Sequence, residues 1–153
     1  MHYLITGHTG FKGAWLSMML KAKGNKVSGI SLAAEKSSIF NLSNLEDIFE
    51  SNTIKDIRNI SNSDLPRMDI DVVIHLAAQP LVKTSYDFPV ETFQTNVIGT
   101  LNVLELTKKL KPKATLIITT DKVYKNTSKK NGYVESDPLG GSDPYSASKA
   151  AAD

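Results

Sequence analysis

The sequence contains no cysteine, which excludes disulfide bonds, thiolate catalysis and cysteine-ligated zinc. It also lacks any apolar run near the roughly 20 residues that a membrane-spanning helix needs. Neither sign of charge dominates, because 18 Lys and Arg stand against 16 Asp and Glu, and the basic residues are spread along the chain. We therefore expect neither a nucleic-acid nor a membrane partner. No charged leader precedes the apolar run at Tyr3, so we expect a cytoplasmic protein.

Hydrophobic residues make up 41% of the 153 residues and charged residues 22%, which is typical of one globular domain over residues 1–153. Strand and helix patterns alternate along the chain. The patterns predict strands and helices in the following order: strand 2–6, helix 11–23, strand 26–31, helix 42–50, strand 53–57, strand 71–76, helix 91–110, strand 114–119 and a helix from 144. Such alternation predicts parallel strands joined by right-handed crossovers, in a doubly wound, Rossmann-like α/β sheet.

Two of these helices carry apolar residues at helical spacing. In the helix at 11–23 the predicted apolar face is Trp15, Leu16, Met19 and Leu20. In the helix at 91–110 it is Phe93, Val97, Leu101 and Leu104. The last helix runs to Asp153 with no Gly, Asn or Pro to end it, so we expect a domain that is incomplete at its C-terminus.

Three glycines, Gly7, Gly10 and Gly13, are spaced G-x-x-G-x-x-G between a predicted strand and a predicted helix. This is the context that the dinucleotide-binding fingerprint requires. Glycines allow a tight turn and a close approach to a pyrophosphate, whose charge meets the first N–H groups of the helix. A plain strand-to-helix turn is the alternative, and the even spacing of three glycines disfavours it.

The second strand ends without the carboxylate that usually binds the adenosine ribose. Ser31 occupies that position, and Glu35 follows a few residues later. Lys36 suits the 2′-phosphate of NADP. At this point the choice between NAD and NADP stays open.

Tyr145 and Lys149 are four residues apart and therefore share one face of the predicted last helix. A nearby ammonium and an oxidised nicotinamide both favour a phenolate, which can act as a base. A tyrosine and a lysine on a helix surface are the alternative, and this pair alone is weak evidence. Together with the glycine turn it becomes strong.

Four motifs together resemble the extended short-chain dehydrogenase/reductase superfamily, in the expected order over nearly the whole chain. They are the glycine turn, His75-Leu76-Ala77-Ala78, Thr95-Asn96-Val97 with Gly99-Thr100, and the Tyr145–Lys149 pair. The resemblance implies a bound dinucleotide in contact with Gly7, Thr9, Gly10, Phe11, Lys12, Gly13, Ser31, Asp56, Ile57, Ala77, Ala78, Gln79, Asn96, Thr119, Tyr145 and Lys149. It further implies that Asp56 and Ile57 contact the adenine, and that Lys149 binds the nicotinamide ribose.

Three stretches resemble, within the superfamily, the CDP-glucose 4,6-dehydratases. They are residues 7–17, residues 78–82, and residues 120–124 with 137–141 and 143–145. This resemblance implies NAD as the cofactor, a nucleotide sugar (CDP-glucose foremost) as the substrate, a homo-oligomer at full length, and a missing C-terminal substrate domain. It implies no metal, and we expect structural roles for His8 and His75, since no acidic cluster accompanies them.

The catalytic residues implied by this resemblance are Thr120, Asp121, Lys122, Tyr145 and Lys149. Thr120, Asp121 and Lys122 follow the last predicted strand, where ligands bind in an open α/β sheet, so we expect them in one crevice with Tyr145. Lys122 is the expected base for the sugar C5 proton. A free lysine is protonated at neutral pH, so this role needs burial, a positive neighbour such as Lys149, or a water relay.

Two other functions remain open from the sequence. One is a nucleotide-sugar epimerase of the same superfamily, which the Asp121-Lys122 pair disfavours. The other is a cofactor-binding module without activity of its own, since these 153 residues lack the expected substrate domain.

Overall fold

A computed structural model describes residues 1–153. Five strands form one wholly parallel sheet in the order β3-β2-β1-β4-β5. The strands are β1 His2–Thr6, β2 Lys26–Ser31, β3 Ser51–Ile54, β4 Val72–His75 and β5 Ala114–Ile117. The predicted α/β class and parallel sheet are confirmed.

The strand order reverses beside β1. The chain moves from β1 outward through β2 to β3, and then returns to the other side of β1 for β4 and β5. In such sheets, ligands bind beyond the carboxyl ends of the strands at this switch point. Thr6 pairs with Ile30 on one side and with His75 on the other, so the segments that follow β1, β2 and β4 leave the sheet at the same edge.

The helices are α1 Phe11–Ala22, α2 Ile39–Leu42, α3 Val82–Asp87, α4 Pro89–Phe93, α5 Gly99–Leu110 and α6 Pro144–Ala152. A π-helical stretch, Gln94–Ile98, lies between α4 and α5. None of the helices is both long and apolar enough to cross a bilayer.

The chain divides into two compact units. The sheet unit contains residues 1–77 and 102–118, and the helical unit contains residues 78–101 and 119–153. The sheet unit has two apolar clusters. One is built from Leu4, Ile30, Ile57, Ile70, Val73 and Val103, and the other from Ala14, Phe40 and Leu45.

The apolar face of α1 is not the face that the helix buries. Trp15 and Met19 are 48% and 57% exposed, whereas Gly13, Ala14 and Ser17 are buried. Small side chains let the helix backbone approach the strands closely, and a large side chain on that face would hold the two apart. The hydroxyl of Ser17 donates to Gly13 O at 2.7 Å, which satisfies its polar group inside the helix.

In the helical segment at 91–110 the apolar residues at helical spacing are likewise not the ones most deeply buried. Phe93 and Leu101 are 40% and 52% exposed. The buried positions are instead Thr92, Asn96, Gly99, Thr100, Val103 and Leu106. The π-helical stretch adds a residue to one turn, which changes the face that later residues present. Polar groups dominate the first half of the buried face because they bind other segments of the helical unit.

Two shorter elements differ from their predictions. The helix predicted at 42–50 is split into α2 and a 3₁₀ turn, Leu45–Ile48, and Asn44 between them adopts the left-handed conformation at φ 48°. Asn tolerates that conformation better than most residues, so it separates the two helical turns. The strand predicted at 53–57 is β3, which begins at Ser51 and ends at Ile54.

Candidate functional site

The predicted site residues fall into both units. The sheet unit contains Gly7, Thr9, Gly10, Phe11, Lys12, Gly13, Ser31, Asp56, Ile57 and Ala77. The helical unit contains Ala78, Gln79, Asn96, Thr119, Thr120, Asp121, Lys122, Tyr145 and Lys149.

The glycine turn needs glycine at two of its three positions. Gly7 has φ +77°, and a Cβ there would lie 2.7 Å from Ala77 N at the end of β4. A Cβ on Gly13 would lie 2.6 Å from the Cα of His8. A side chain at either position would therefore push the start of α1 away from the strands. The turn is closed by Gly7 N–H, which donates to Ile30 O at 2.9 Å, and by Gly10 N–H, which donates to Gly7 O at 3.1 Å.

The first turn of α1 is suited to an anion. Gly10, its N-cap, provides no side-chain acceptor, and no acidic side chain lies in the first turn. Phe11 and Lys12 are exposed there. The unpaired N–H groups at a helix start and the helix dipole both favour a phosphate. This cradle fits the pyrophosphate of a dinucleotide.

A buried pair of hydroxyls fixes the turn to the end of β2. Thr9 Oγ1 is 2.8 Å from Ser31 Oγ and donates to Leu32 O at 2.9 Å. Both residues are buried. The side chain of Ser31 is therefore engaged with the turn itself, and its contact with a cofactor stays a prediction.

Asp56 and Ile57 lie just beyond β3. The Asp56 carboxylate accepts 2.8 Å bonds from the backbone N–H and from Nε of Arg58, and these contacts lower the pKa of Asp56. Ile57 is buried, and its carbonyl accepts from Asn102 Nδ2 at 3.0 Å. The proposed adenine contacts of these two residues stay predictions.

Asn96 binds the segment that follows β4. Its Oδ1 accepts from Gln79 N–H at 2.8 Å, and its Nδ2 donates to Gln79 O at 3.1 Å. The Gln79 side chain donates to Thr92 Oγ1 at 2.9 Å. Gln79 is thus held by Thr92 of α4 and by Asn96 of the π-helical stretch, and the supporting role of Asn96 in a cofactor site stays a prediction.

Asp121 and Lys122 belong to a 3₁₀ turn, Asp121–Val123, that packs against α6, and Thr120 is the N-cap of this turn. Thr120 Oγ1 donates to Asp121 Oδ1 at 3.0 Å and accepts from Lys122 N–H at 3.4 Å. Thr119 precedes this turn and is half-buried, whereas Asp121 and Lys122 are exposed to solvent. The structure therefore places the predicted acid and base on the element that contacts the helix of Tyr145.

The N-cap of α6 is Asp143. Its carboxylate accepts from the backbone N–H of Ser146 at 2.9 Å and from the Ser146 hydroxyl at 2.6 Å. Partial burial acts to raise the pKa of Asp143, but the Ser146 hydrogen bonds and the charge of Lys122 outweigh it, and the pKa is lowered.

Lys149 is buried on α6, whereas Tyr145 is half-buried one turn earlier. Burial lowers the pKa of Lys149, and the carboxylate of Asp153 opposes this effect. An ammonium that is costly to keep charged in a buried position is suited to contact with an anionic or polar ligand.

His8 and His75 have structural environments. Both are buried. The His8 ring packs against Phe40 and Phe49, and its Nε2 is 2.8 Å from Asn52 Oδ1. His75 Nδ1 is 2.6 Å from Thr6 Oγ1.

Three further residues of the site were not identified from the sequence as contacts of Tyr145 or its helix. They are Asp143, Ser148 and Ser85. Asp143 before Pro144 carries a readable signal, since Asp at the N-cap followed by Pro is typical of a helix start. Ser85 is 60 residues from Tyr145, and no short-range pattern connects the two.

Comparison with known proteins shows the family. The family model described as GDP-mannose 4,6 dehydratase matches residues 4–153. A CDP-glucose 4,6-dehydratase of Salmonella typhimurium is 45% identical, over 97% of this chain and 42% of the relative. A dTDP-D-glucose 4,6-dehydratase of Dictyostelium discoideum is 33% identical, over 98% of this chain and 38% of the relative. The chain thus spans less than half the length of these relatives.

Solved structures agree with the fold. A dTDP-glucose 4,6-dehydratase from Streptomyces venezuelae, solved with NAD bound, has a TM-score of 0.83 at 27% identity and covers 99% of this chain and 49% of its own. A UDP-glucose 4-epimerase from Bifidobacterium longum, solved with NAD⁺ and UDP, has a TM-score of 0.82 at 28% identity, with coverage of 99% and 47%. Sequence and structure together show that this chain belongs to the GDP-mannose 4,6 dehydratase family, within the extended short-chain dehydrogenase/reductase superfamily.

Proposed function

We propose that the protein containing this chain is an NAD-dependent nucleotide-sugar 4,6-dehydratase, with CDP-glucose as the favoured substrate. The observation that carries the proposal is the packing of the Thr120–Lys122 turn against α6, which bears Tyr145 and Lys149. An acid, a base and a phenol on two contacting elements are what an elimination next to an oxidised carbon needs. The identity of 45% with a CDP-glucose 4,6-dehydratase supports this choice of substrate.

The cofactor is proposed to bind at the glycine turn, with its pyrophosphate at the first turn of α1. The positions where a Cβ would collide, Gly7 and Gly13, fit a backbone that must come close to a ligand. Asp56 is proposed to contact the adenine and Lys149 the nicotinamide ribose. When bound, NAD supplies a reversible hydride acceptor, so it ends each cycle in the state in which it began.

The chain's own residues are proposed to move three protons. Tyr145 takes the proton from the sugar O4 as C4 is oxidised, while Thr120 hydrogen-bonds the same oxygen. The 4-ketone acidifies the C5–H, and Lys122 removes that proton. Asp121 donates a proton to the C6 hydroxyl, which leaves as water. Lys122 returns its proton to C5, a bound NAD would supply the hydride that C6 receives, and the proton gained by Tyr145 balances the one lost by Asp121.

The experiment that tests this function uses the full-length protein with NAD⁺ and, in turn, CDP-, dTDP- and UDP-glucose. The expected result is a 4-keto-6-deoxy product from CDP-glucose, detected by the absorbance of the 4-keto sugar in alkali. Tyr145→Phe is the matched control, and we expect it to lower kcat/KM by about 10²–10⁴. A 4-epimer with no loss of water would instead identify a nucleotide-sugar epimerase, and no turnover at all would leave a cofactor-binding module.

Lys122 has its own test. We expect Lys122→Met to slow the entry of solvent deuterium at C5 by at least about tenfold, since it removes the proposed base. Lys122 is exposed to solvent, so a water-relayed transfer is the competing arrangement. Deuterium incorporation at the wild-type rate in Lys122→Met would show that Lys122 is not the base.

We also propose that the full-length protein forms homo-oligomers in the cytoplasm. Exposed apolar side chains of α4 and the π-helical stretch, Val90, Phe93 and Ile98 among them, support self-association. Sedimentation velocity of the full-length protein tests this, and a monomer at micromolar concentration would contradict it.

A further inference from the structure

The main chain of Tyr145 is held by two buried serines. Tyr145 is the second residue of α6, so its N–H has no partner within the helix. The N-cap Asp143 accepts from the Ser146 N–H at 2.9 Å, and its carboxylate also attracts the N–H of Tyr145. The N–H of Tyr145 donates to the hydroxyl of Ser85 on α3, at 3.1 Å.

The hydroxyl of Ser85 has a fixed direction. Ser85 is fully buried, at 0% exposure, and its Oγ–H donates to Val82 O at 2.6 Å. A serine hydroxyl has only one hydrogen, so the oxygen can only accept from Tyr145. Ser85, which belongs to α3, therefore accepts a hydrogen bond from the first turn of α6, the helix that carries Tyr145.

The carbonyl of Tyr145 is held in the same manner. Ser148 Oγ donates to Tyr145 O at 2.7 Å and accepts from Asn96 Nδ2 at 2.9 Å. Ser148 is 0% exposed and Asn96 is 1% exposed, so the bond between these two side chains is shielded from solvent. Asn96 also binds both backbone groups of Gln79. The chain of hydrogen bonds thus connects the peptide of Tyr145 to the segment after β4.

We propose that Ser85 and Ser148 are positioning residues that aim the Tyr145 phenol by fixing its backbone from both sides. The inference rests on the proposed function, in which that phenol takes the O4 proton. With both peptide groups fixed, the Cα–Cβ bond has one direction, and only the two side-chain torsions of Tyr145 stay adjustable. Proton transfer depends steeply on such placement, since a displacement of about 1 Å can cost about 10²-fold in rate.

The test compares Ser85→Ala and Ser148→Ala with the wild type in the full-length protein. The substrate is whichever of the three nucleotide sugars the wild type converts, both unlabelled and with deuterium at C4. We expect kcat to fall about tenfold, while KM and the Kd for NAD⁺ stay within about twofold. The C4 deuterium isotope effect on kcat should increase, because C4–H cleavage, coupled to the Tyr145 proton transfer, becomes more rate-limiting.

The matched control is Ser28→Ala. Ser28 is also 0% exposed and its hydroxyl also makes a buried hydrogen bond, 2.8 Å to His2 Nε2, but it lies in β2, in the sheet unit. We expect a comparable loss of stability from this control and an unchanged kcat and isotope effect. If Ser28→Ala changed kcat and the isotope effect as much as Ser85→Ala and Ser148→Ala do, the positioning role would be overturned.

A variant that does not fold is replaced by Ser85→Cys or Ser148→Cys. Each keeps the side-chain volume but exchanges a strong hydrogen-bonding group for a weak one, so we expect a smaller drop in kcat and a raised isotope effect. Wild-type kinetics in the Cys variants would overturn the inference. Failure of the proposed function is separate, because it shows in the wild type as absence of a 4-keto product, and the positioning role then falls with it.

Discussion

The glycine turn packs closely on β2 because a large side chain in the turn lies against a glycine in the strand. The His8 ring lies against Gly29 of β2, and a Cβ added there would stand 2.5 Å from His8 Cδ2. Burial lowers the pKa of His8 and so favours the neutral form of the ring. The sequence placed His8 in a structural role, but its partner 21 positions away could be identified only from the packing of β1 and β2.

Gly29→Ala should therefore destabilise the protein by about 1–3 kcal/mol, since the new methyl group overpacks against the His8 ring. Urea unfolding measures this loss. The same substitution in a His8→Ala background should cost at least about 1 kcal/mol less, because the obstructing ring is gone. Gly132→Ala is the control, since a Cβ there meets no atom within 4 Å. Additive effects of Gly29→Ala and His8→Ala would contradict the size complementarity.

At the scale of elements, helix existence followed from periodicity but helix orientation did not. The α1 and 91–110 segments were correctly predicted as helical, and both bury a face other than the most apolar one. In α1 the close approach of small residues decides the face. In the 91–110 segment the π-helical stretch and its buried Asn96 determine which face is buried. The hydrogen bonds of Asn96 to Gln79 and Ser148 exist only after the helical unit folds.

The start of α6 offers a titratable test. Asp143→Ala should lower stability by about 1 kcal/mol at pH 7, because two bonds to Ser146 are lost. The pKa of Asp143 is lowered on folding, so its contribution is present above the unfolded pKa of about 3.9 and is lost as the pH falls through the folded value.

The measurement is urea unfolding of the wild type and Asp143→Ala between pH 7 and pH 2.5. The difference in unfolding free energy should shrink toward the acid end. Asp143→Asn is the matched control, since Asn also caps a helix without titrating, and it should keep most of the stability at pH 7. A difference between wild type and Asp143→Ala that does not change with pH would argue against the ionised cap.

At the scale of the whole molecule, the chain spans 42% of the Salmonella typhimurium relative. The Dictyostelium discoideum relative is covered to 38%, so both of these relatives are more than twice as long as the matched segment. We infer that regions outside residues 1–153 contribute to substrate binding.

Residues 1–153 alone should therefore turn over no CDP-glucose, whereas the full-length protein should. The assay is the same 4-keto absorbance in alkali, with circular dichroism to check that the isolated segment is folded. Detectable turnover by a folded 1–153 segment would refute the expectation.

The sequence by itself determined the parallel α/β sheet, the glycine turn and the Tyr145–Lys149 spacing, because each depends on residues that are near neighbours along the chain. The tertiary structure alone decided which helix faces are buried and which groups hold Tyr145. Ser85 lies 60 residues from Tyr145 and Asn96 lies 52 residues from Ser148. Such contacts form only when distant segments pack and exclude water, so no local pattern in the sequence specifies them.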